Sequence, residues 1–128
     1  MPTKGTGGSA GFDLYSNGHY FLMPGAQTVI DTGVVLILPE DHYGKIEARS
    51  SVAVQRELMI EGGVIDQDYT GPIKIVIRNM SLVRCQPVRR GDKIAQVIIH
   101  KIPKMSCQLR HEIPTTERGA SGFGSTGN

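Results

Sequence analysis

Sixteen glycines sit in this chain, most of them in short clusters between apolar runs, and no other feature restricts its fold as much. Clustered glycine marks tight turns or close backbone approach, and the sequence around these clusters is not of low complexity. The runs between them have a period of two. In Ile73-Lys74-Ile75-Val76-Ile77-Arg78 the isoleucines share one face. Thr28 to Leu38 is rich in valine and isoleucine and is broken by Thr32-Gly33. Ile94 to Ile102 is a third long run, with Gln96 and His100 expected on the face of Ile94, Ile98 and Ile102. Turn signals separate these runs: Pro24-Gly25, Pro39-Glu40-Asp41, Gly62-Gly63, Gly71-Pro72 and Arg90-Gly91-Asp92. Many short strands with such punctuation predict an all-β barrel or sandwich.

One stretch reads as helical. Val52 to Met59 follows Ser50-Ser51, and serine is a favoured N-cap, so about two turns are expected there. With 128 residues, 39% of them apolar, the chain suffices for one domain around one core. No apolar run approaches the roughly 20 residues that span a bilayer, and Met1 to Gly5 carries no apolar leader, so neither membrane nor secretion is expected. Cys85 and Cys107 lie far apart and read as reduced thiols of an intracellular protein, in cytoplasm or nucleus. The net charge of +2 is spread out; its densest cluster, Arg84 with Arg89-Arg90, precedes the Gly91-Asp92 turn. That is a solvated loop and not a nucleic-acid footprint. The last eleven residues, Arg118 to Asn128, are glycine, small polar residues and one aromatic. They cannot build a core, so the chain divides into a body, 1–117, and a mobile arm, 118–128.

Several short constellations could carry chemistry. Arg49-Ser50-Ser51 combines a charged fork and two hydroxyls at the start of the short helix, which suits an anion or serves as a plain cap. Gly62 to Gly71 holds Asp66 and Asp68 beside Tyr69 at what should be a β-hairpin tip, where a carboxylate can orient water as a base or simply mark an acidic turn. Gly91 to Gln96 puts an amide into an apolar strand, and a buried amide needs a partner, from a neighbouring strand or a ligand. Arg118 to Gly127 is a disordered tail or a glycine-rich lid over a triphosphate, with Phe123 stacked on a base. Ser9 to Ser16 contains a lone Asp13 that reads most simply as a structural turn.

Each of these is weak alone, but their joint order is specific. The chain resembles the trimeric dUTPase family, whose five motifs occur here once each and in sequence: Ala10 to Leu14, Gly44 through Arg49-Ser50-Ser51, Gly62 to Gly71, Gly91 to Gln96, and Arg118 to Gly127. The resemblance covers essentially the whole chain. It implies a jelly-roll-like distorted β-barrel, a homotrimer with active sites shared between subunits, and Mg2+-dependent hydrolysis of dUTP to dUMP and pyrophosphate.

Motif by motif, the resemblance makes Asp66 the general base that activates water against the α-phosphorus. Tyr69 packs beneath the deoxyribose, and backbone groups of Gly63, Val64, Ile65 and the residues up to Tyr69 pair with uracil. Arg49, Ser50, Ser51 and Gln96 of a neighbouring subunit hold the phosphates. Arg118, Phe123, Gly124, Ser125 and Thr126 arrive on the arm, Phe123 stacking on uracil. Asp13 acts through water on Mg2+. Two departures stand out: an N-terminal strand common in the family looks absent or shortened, and Glu57 replaces a frequent glycine after the helix. A deoxycytidine triphosphate deaminase shares the fold but needs a glutamate where Val76 stands, and valine cannot shuttle protons. A non-catalytic nucleotide-binding descendant would have lost Asp66, Arg49 or the fifth motif, and all three are present.

Overall fold

Period two in the sequence becomes paired strands. The computed structural model describes residues 1–124. Among these the elements are β1 (Gly11–Tyr15), β2 (Tyr20–Leu22), β3 (Gln27–Val35), β4 (His42–Ala48), α1 (Ser50–Arg56), β5 (Leu58–Glu61), β6 (Val64–Ile65), β7 (Pro72–Asn79), β8 (Gln86–Val88) and β9 (Lys93–Lys101). Three antiparallel sheets, ordered β1-β9-β4-β6, β2-β8 and β3-β7-β5, close around one core as a jelly-roll-like distorted barrel.

The isoleucine face of β7 lies where its pattern puts it: Ile73, Ile75 and Ile77 are all fully buried, with Leu14, Leu22, Ile30 and Val97 around them. Each such side chain contributes about 1.5–3 kcal/mol of transfer free energy. Thr32-Gly33 interrupts the pairing of β3 with β7 without ending the strand. The β3–β7 register shifts between Asp31 and Val35, Gly33 takes a φ of +65°, and the buried Thr32 hydroxyl donates to the Ile73 carbonyl at 2.7 Å. That bond satisfies a polar group inside the core.

Three local expectations are corrected. The helix begins at Ser50, with Arg49 as N-cap and no side-chain cap bond, and stops at Arg56. Leu58 and Met59 then enter β5, because Leu58 joins the core and pairs with Asn79 across β5–β7. Glu57 supplies the turn in the left-handed region at φ 52°, its carboxylate meeting Arg84 at 2.6 Å. Second, Gly62 to Gly71 is not a simple hairpin tip. Its outer arms β5 and β7 pair, but β6 swings away to pair with β4 through Gly44↔Ile65 and Lys45↔Val64. Third, β9 does not keep Ile94 on the Gln96 face: Ile94, Ala95 and Val97 are all buried, and Gln96 lies half-exposed on the other side.

Gly63 makes the swing possible. Its φ is +103°, its carbonyl accepts from Ile46 N–H at 2.8 Å, and a Cβ there would meet the Ile46 carbonyl oxygen at 2.9 Å. Gly63→Ala therefore loses about 1–3 kcal/mol of stability from strain and overlap together. Chemical denaturation would measure it, and an unchanged midpoint would mean β6 can be reached by another path.

The N-terminal segment contributes one bridge, Thr3↔Asp13. Beyond β9 the described chain runs exposed, with Met105, Leu109 and Ile113 each over three-quarters exposed. None of the described helices is long and apolar enough to cross a membrane. Cys85 and Cys107 are exposed free thiols.

Candidate active site

Two clefts gather most of the residues singled out by sequence. The first, of about 200 Å³, is lined by Gly5, Ser9, Gly11, Asp13, Arg49, Ser50 and Gln96. Register builds it. Antiparallel pairing sets Asp13 of β1 opposite Gln96 of β9, and Gln96 opposite Glu47 of β4, so one row crosses three strands. Arg49 and Ser50 follow directly where β4 ends and the helix begins. Gly11 is a close-approach position, since a Cβ there would lie 2.5 Å from Oε1 of Gln96. The Gln96 amide donates to the Ala48 carbonyl at 3.3 Å, so a neighbouring strand supplies its partner while the side chain still lines the cleft.

Asp13 is the cleft's electrostatic centre. It is a mid-strand residue at 7% exposure, not a turn. Arg49 donates to its Oδ1, and Lys93 Nζ lies 3.2 Å from Oδ2. Burial is the largest influence on the Asp13 carboxyl and opposes its ionisation. Hydrogen bonds from Arg49 and Lys93, together with their charges, outweigh burial and hold the group below the usual carboxylate range. One carboxylate between two cations leaves a residual positive charge, which favours an anion in the cleft.

The second cleft, of about 190 Å³, is lined by Val64, Ile65, Asp66, Tyr69, Pro72 and Lys74. Ile65 anchors it in the core while Val64 and Asp66 stay exposed. A turn closes behind the carboxylate, Tyr69 N–H donating to the Asp66 carbonyl at 3.1 Å. The Tyr69 hydroxyl donates to the Pro72 carbonyl at 2.9 Å, and Gly71 lets the ring lie that close.

Other residues fall outside the clefts. Ser51 lines a separate shallow depression with Ser50, Val54 and Gln55. Gly63 faces β4, as described. Arg118 and Phe123 line neither cleft: Arg118 Nε donates to the Ser121 carbonyl at 2.8 Å, and the Phe123 ring is wholly exposed. Gly124, at φ +87°, is exposed beside it. Ser125 and Thr126 lie outside the described residues.

Sequence reasoning missed Gly5 and Lys74, and it held Ser9 and Lys93 only inside longer motifs, with no role of their own. Lys74 had a usable signal, because alternation against Ile73 and Ile75 turns it outward. The direction of Lys93 could not be read from its motif, because a local break in strand register decides which way it faces.

A cationic cleft with an amide and a hydroxyl suits a phosphate chain, and a more apolar cleft with an exposed carboxylate suits a ring and a nucleophilic water. The class so defined is an all-β enzyme acting on nucleotide phosphates. Comparison with known proteins agrees: a family model described as dUTPase matches residues 1–127. A probable deoxyuridine 5'-triphosphate nucleotidohydrolase of Schizosaccharomyces pombe is 38% identical over 127 residues, covering 99% of this chain and 90% of the relative. The Fowlpox virus enzyme of that name is 41% identical over 130 residues, covering 99% and 89%.

Among solved structures, the Staphylococcus bacteriophage 80alpha dUTPase with dUpNHpp superposes with a TM-score of 0.93 at 28% identity, covering 100% of this chain and 92% of that one. A variant dUTPase from phage phi11 of S. aureus, described as coordinating a structural Mg(II) ion, gives 0.82 at 27% identity, covering 88% and 90%. The chain belongs to the dUTPase family. It is a nucleotidohydrolase that converts dUTP to dUMP.

Proposed function

We propose that hydrolysis occurs at composite sites, in which the Asp66 cleft of one subunit faces the Asp13–Arg49 cleft of another. The observation that carries this is their placement in one chain. Asp13 lies on β1 and Asp66 follows β6, the opposite edges of one four-stranded sheet. Three interstrand steps put those edges roughly 14 Å apart. A base must come within about 3 Å of the proton it takes. Packing three copies edge to edge brings the two clefts together, and the exposed run from Met105 to Ile113 offers apolar side chains to a neighbouring copy.

At such a site Asp66 takes a proton from water as its oxygen attacks the α-phosphorus. The bond from that phosphorus to the bridging oxygen breaks, and pyrophosphate leaves with both electrons. Val64, Ile65 and backbone groups near Gly63 hold the uracil ring, and Tyr69 lies beneath the sugar, excluding a 2′-hydroxyl. Arg49, Ser50, Ser51 and Gln96 bind the phosphate chain, where cationic groups stabilise developing charge. Arg118, Phe123, Gly124, Ser125 and Thr126 complete it from the arm, which forms a unit distinct from the body of 1–117.

The residues fit Mg2+ held mainly by substrate phosphates. Among the described residues no group of three or more His, Cys, Asp and Glu side chains could hold a metal ion, and the buried Asp13 already has a cation on each oxygen. Asp13 would therefore reach the ion through water; when bound, Mg2+ neutralises charge on the phosphate chain. The substrate pool places the enzyme inside the cell.

A turnover assay with dUTP, dCTP, dTTP and UTP tests the reading, with dUMP and pyrophosphate from dUTP expected as the dominant products. Ammonia from dCTP would reinstate deamination, despite Val76 standing where a glutamate is needed. Sedimentation tests the assembly: the active species is expected at three times the chain mass, and an active monomer would refute shared sites.

A further inference from the structure

Asp13 divides its carboxylate, one oxygen to Arg49 and the other to Lys93. That division depends on a bulge. β1 and β9 run in step from Gly11↔Ile98 to Leu14↔Ala95, and then the register slips so that Tyr15 faces Lys93 and not Ile94. Residues three apart in a regular strand point to opposite faces, so an unbroken β9 would aim Lys93 away from Gln96. The slip turns Lys93 onto the Gln96 face while Ile94 and Ala95 both remain in the core. Re-aiming one side chain beside a site is a recurrent use of a bulge. The Lys93 ammonium also stands 5.8 Å from the centre of the Tyr15 ring, whose hydroxyl meets Thr3 at 2.5 Å.

We infer that Lys93 is a positioning residue for the phosphate chain: by occupying one oxygen of Asp13 it keeps that carboxylate from taking both arms of the Arg49 fork. This rests on the phosphate-binding reading above. A guanidinium and a carboxylate left to themselves form two parallel bonds and a neutral pair. With Lys93 on Oδ2, the three groups sum to a single positive charge, and Arg49 keeps donors for an anion. Lys93 is itself half-exposed, so solvent screens its direct pull on a phosphate. Its effect runs through Asp13 and Arg49.

The test is inhibition of dUTP turnover by inorganic pyrophosphate and, separately, by deoxyuridine, which lacks phosphate. In Lys93→Met, pyrophosphate inhibition should weaken about ten- to a hundredfold while deoxyuridine inhibition stays within about twofold. Lys93→Arg, which can still occupy Oδ2, should restore pyrophosphate inhibition. Unchanged pyrophosphate inhibition in Lys93→Met would overturn the inference. So would equal weakening for both inhibitors, which marks a merely structural role, or an Arg variant that behaves like the Met variant. A wild-type enzyme indifferent to pyrophosphate would overturn the phosphate-binding reading itself, and this inference with it.

Discussion

Asp66→Asn lowers turnover of dUTP by roughly two to four orders of magnitude, the usual size of a general-base contribution, while the variant still folds and binds a non-hydrolysable analogue. The size follows from what is removed. Water is a poor nucleophile, and asparagine keeps the shape of the side chain but cannot accept the proton. Asp66 is exposed at the mouth of its cleft, just after Ile65 enters the core, so the exchange disturbs no buried contact. Single-turnover kinetics separates the chemical step from binding. Near-normal turnover would remove Asp66 from the mechanism and direct attention to Asp68, two residues on.

Truncation after Glu117 should leave the assembly intact and nearly abolish hydrolysis. At the arm Gly119 N–H donates to the Thr116 hydroxyl at 3.0 Å and Ser121 N–H to the Arg118 carbonyl at 3.2 Å, Phe123 lies wholly open to solvent, and none of these residues belongs to the hydrophobic core. The body therefore loses no core contact with it. On the proposed reading the site would lose Arg118, a stacking ring and the hydroxyls beyond, together with the exclusion of bulk water. Ordering the arm costs roughly 1–2 kcal/mol of backbone entropy per residue, and more for glycine, so ligand contacts must supply the difference. Hydrogen exchange at Gly119 to Gly124 should accordingly slow when an analogue binds. Equal protection with and without it would end the lid hypothesis and leave the enzyme assignment standing.

The strands were legible in the sequence because burial on one face writes itself as alternation, as Ile73, Ile75 and Ile77 show. The candidate site was legible as motifs but not as geometry. Asp13 looked like a turn residue because an isolated acid in a strand is costly; only pairing with β9 and the end of β4 reveals the two cations that balance it. The serines before the helix looked like caps, yet both already lie in the helix, which the chain enters from Arg49 two residues earlier than expected. Gly62-Gly63 announced a turn correctly and concealed that the strand after it changes sheets, since nothing local specifies a partner as distant as β4. Register is a long-range property, and it sorted these residues into separate clefts.

The strand order also governs how the molecule can be made. β9, the last strand, lies between β1, the first, and β4. A chain emerging from the ribosome therefore holds β1 and β4 apart, each with an unsatisfied edge, until residues 93 to 101 are free to insert. Such late, end-to-end closure makes for slow folding and exposes edges that can capture other nascent chains. Asp13, Gln96 and Lys93 come together only at that final insertion, so an incompletely synthesised or misfolded copy has no phosphate cleft with which to sequester nucleotide.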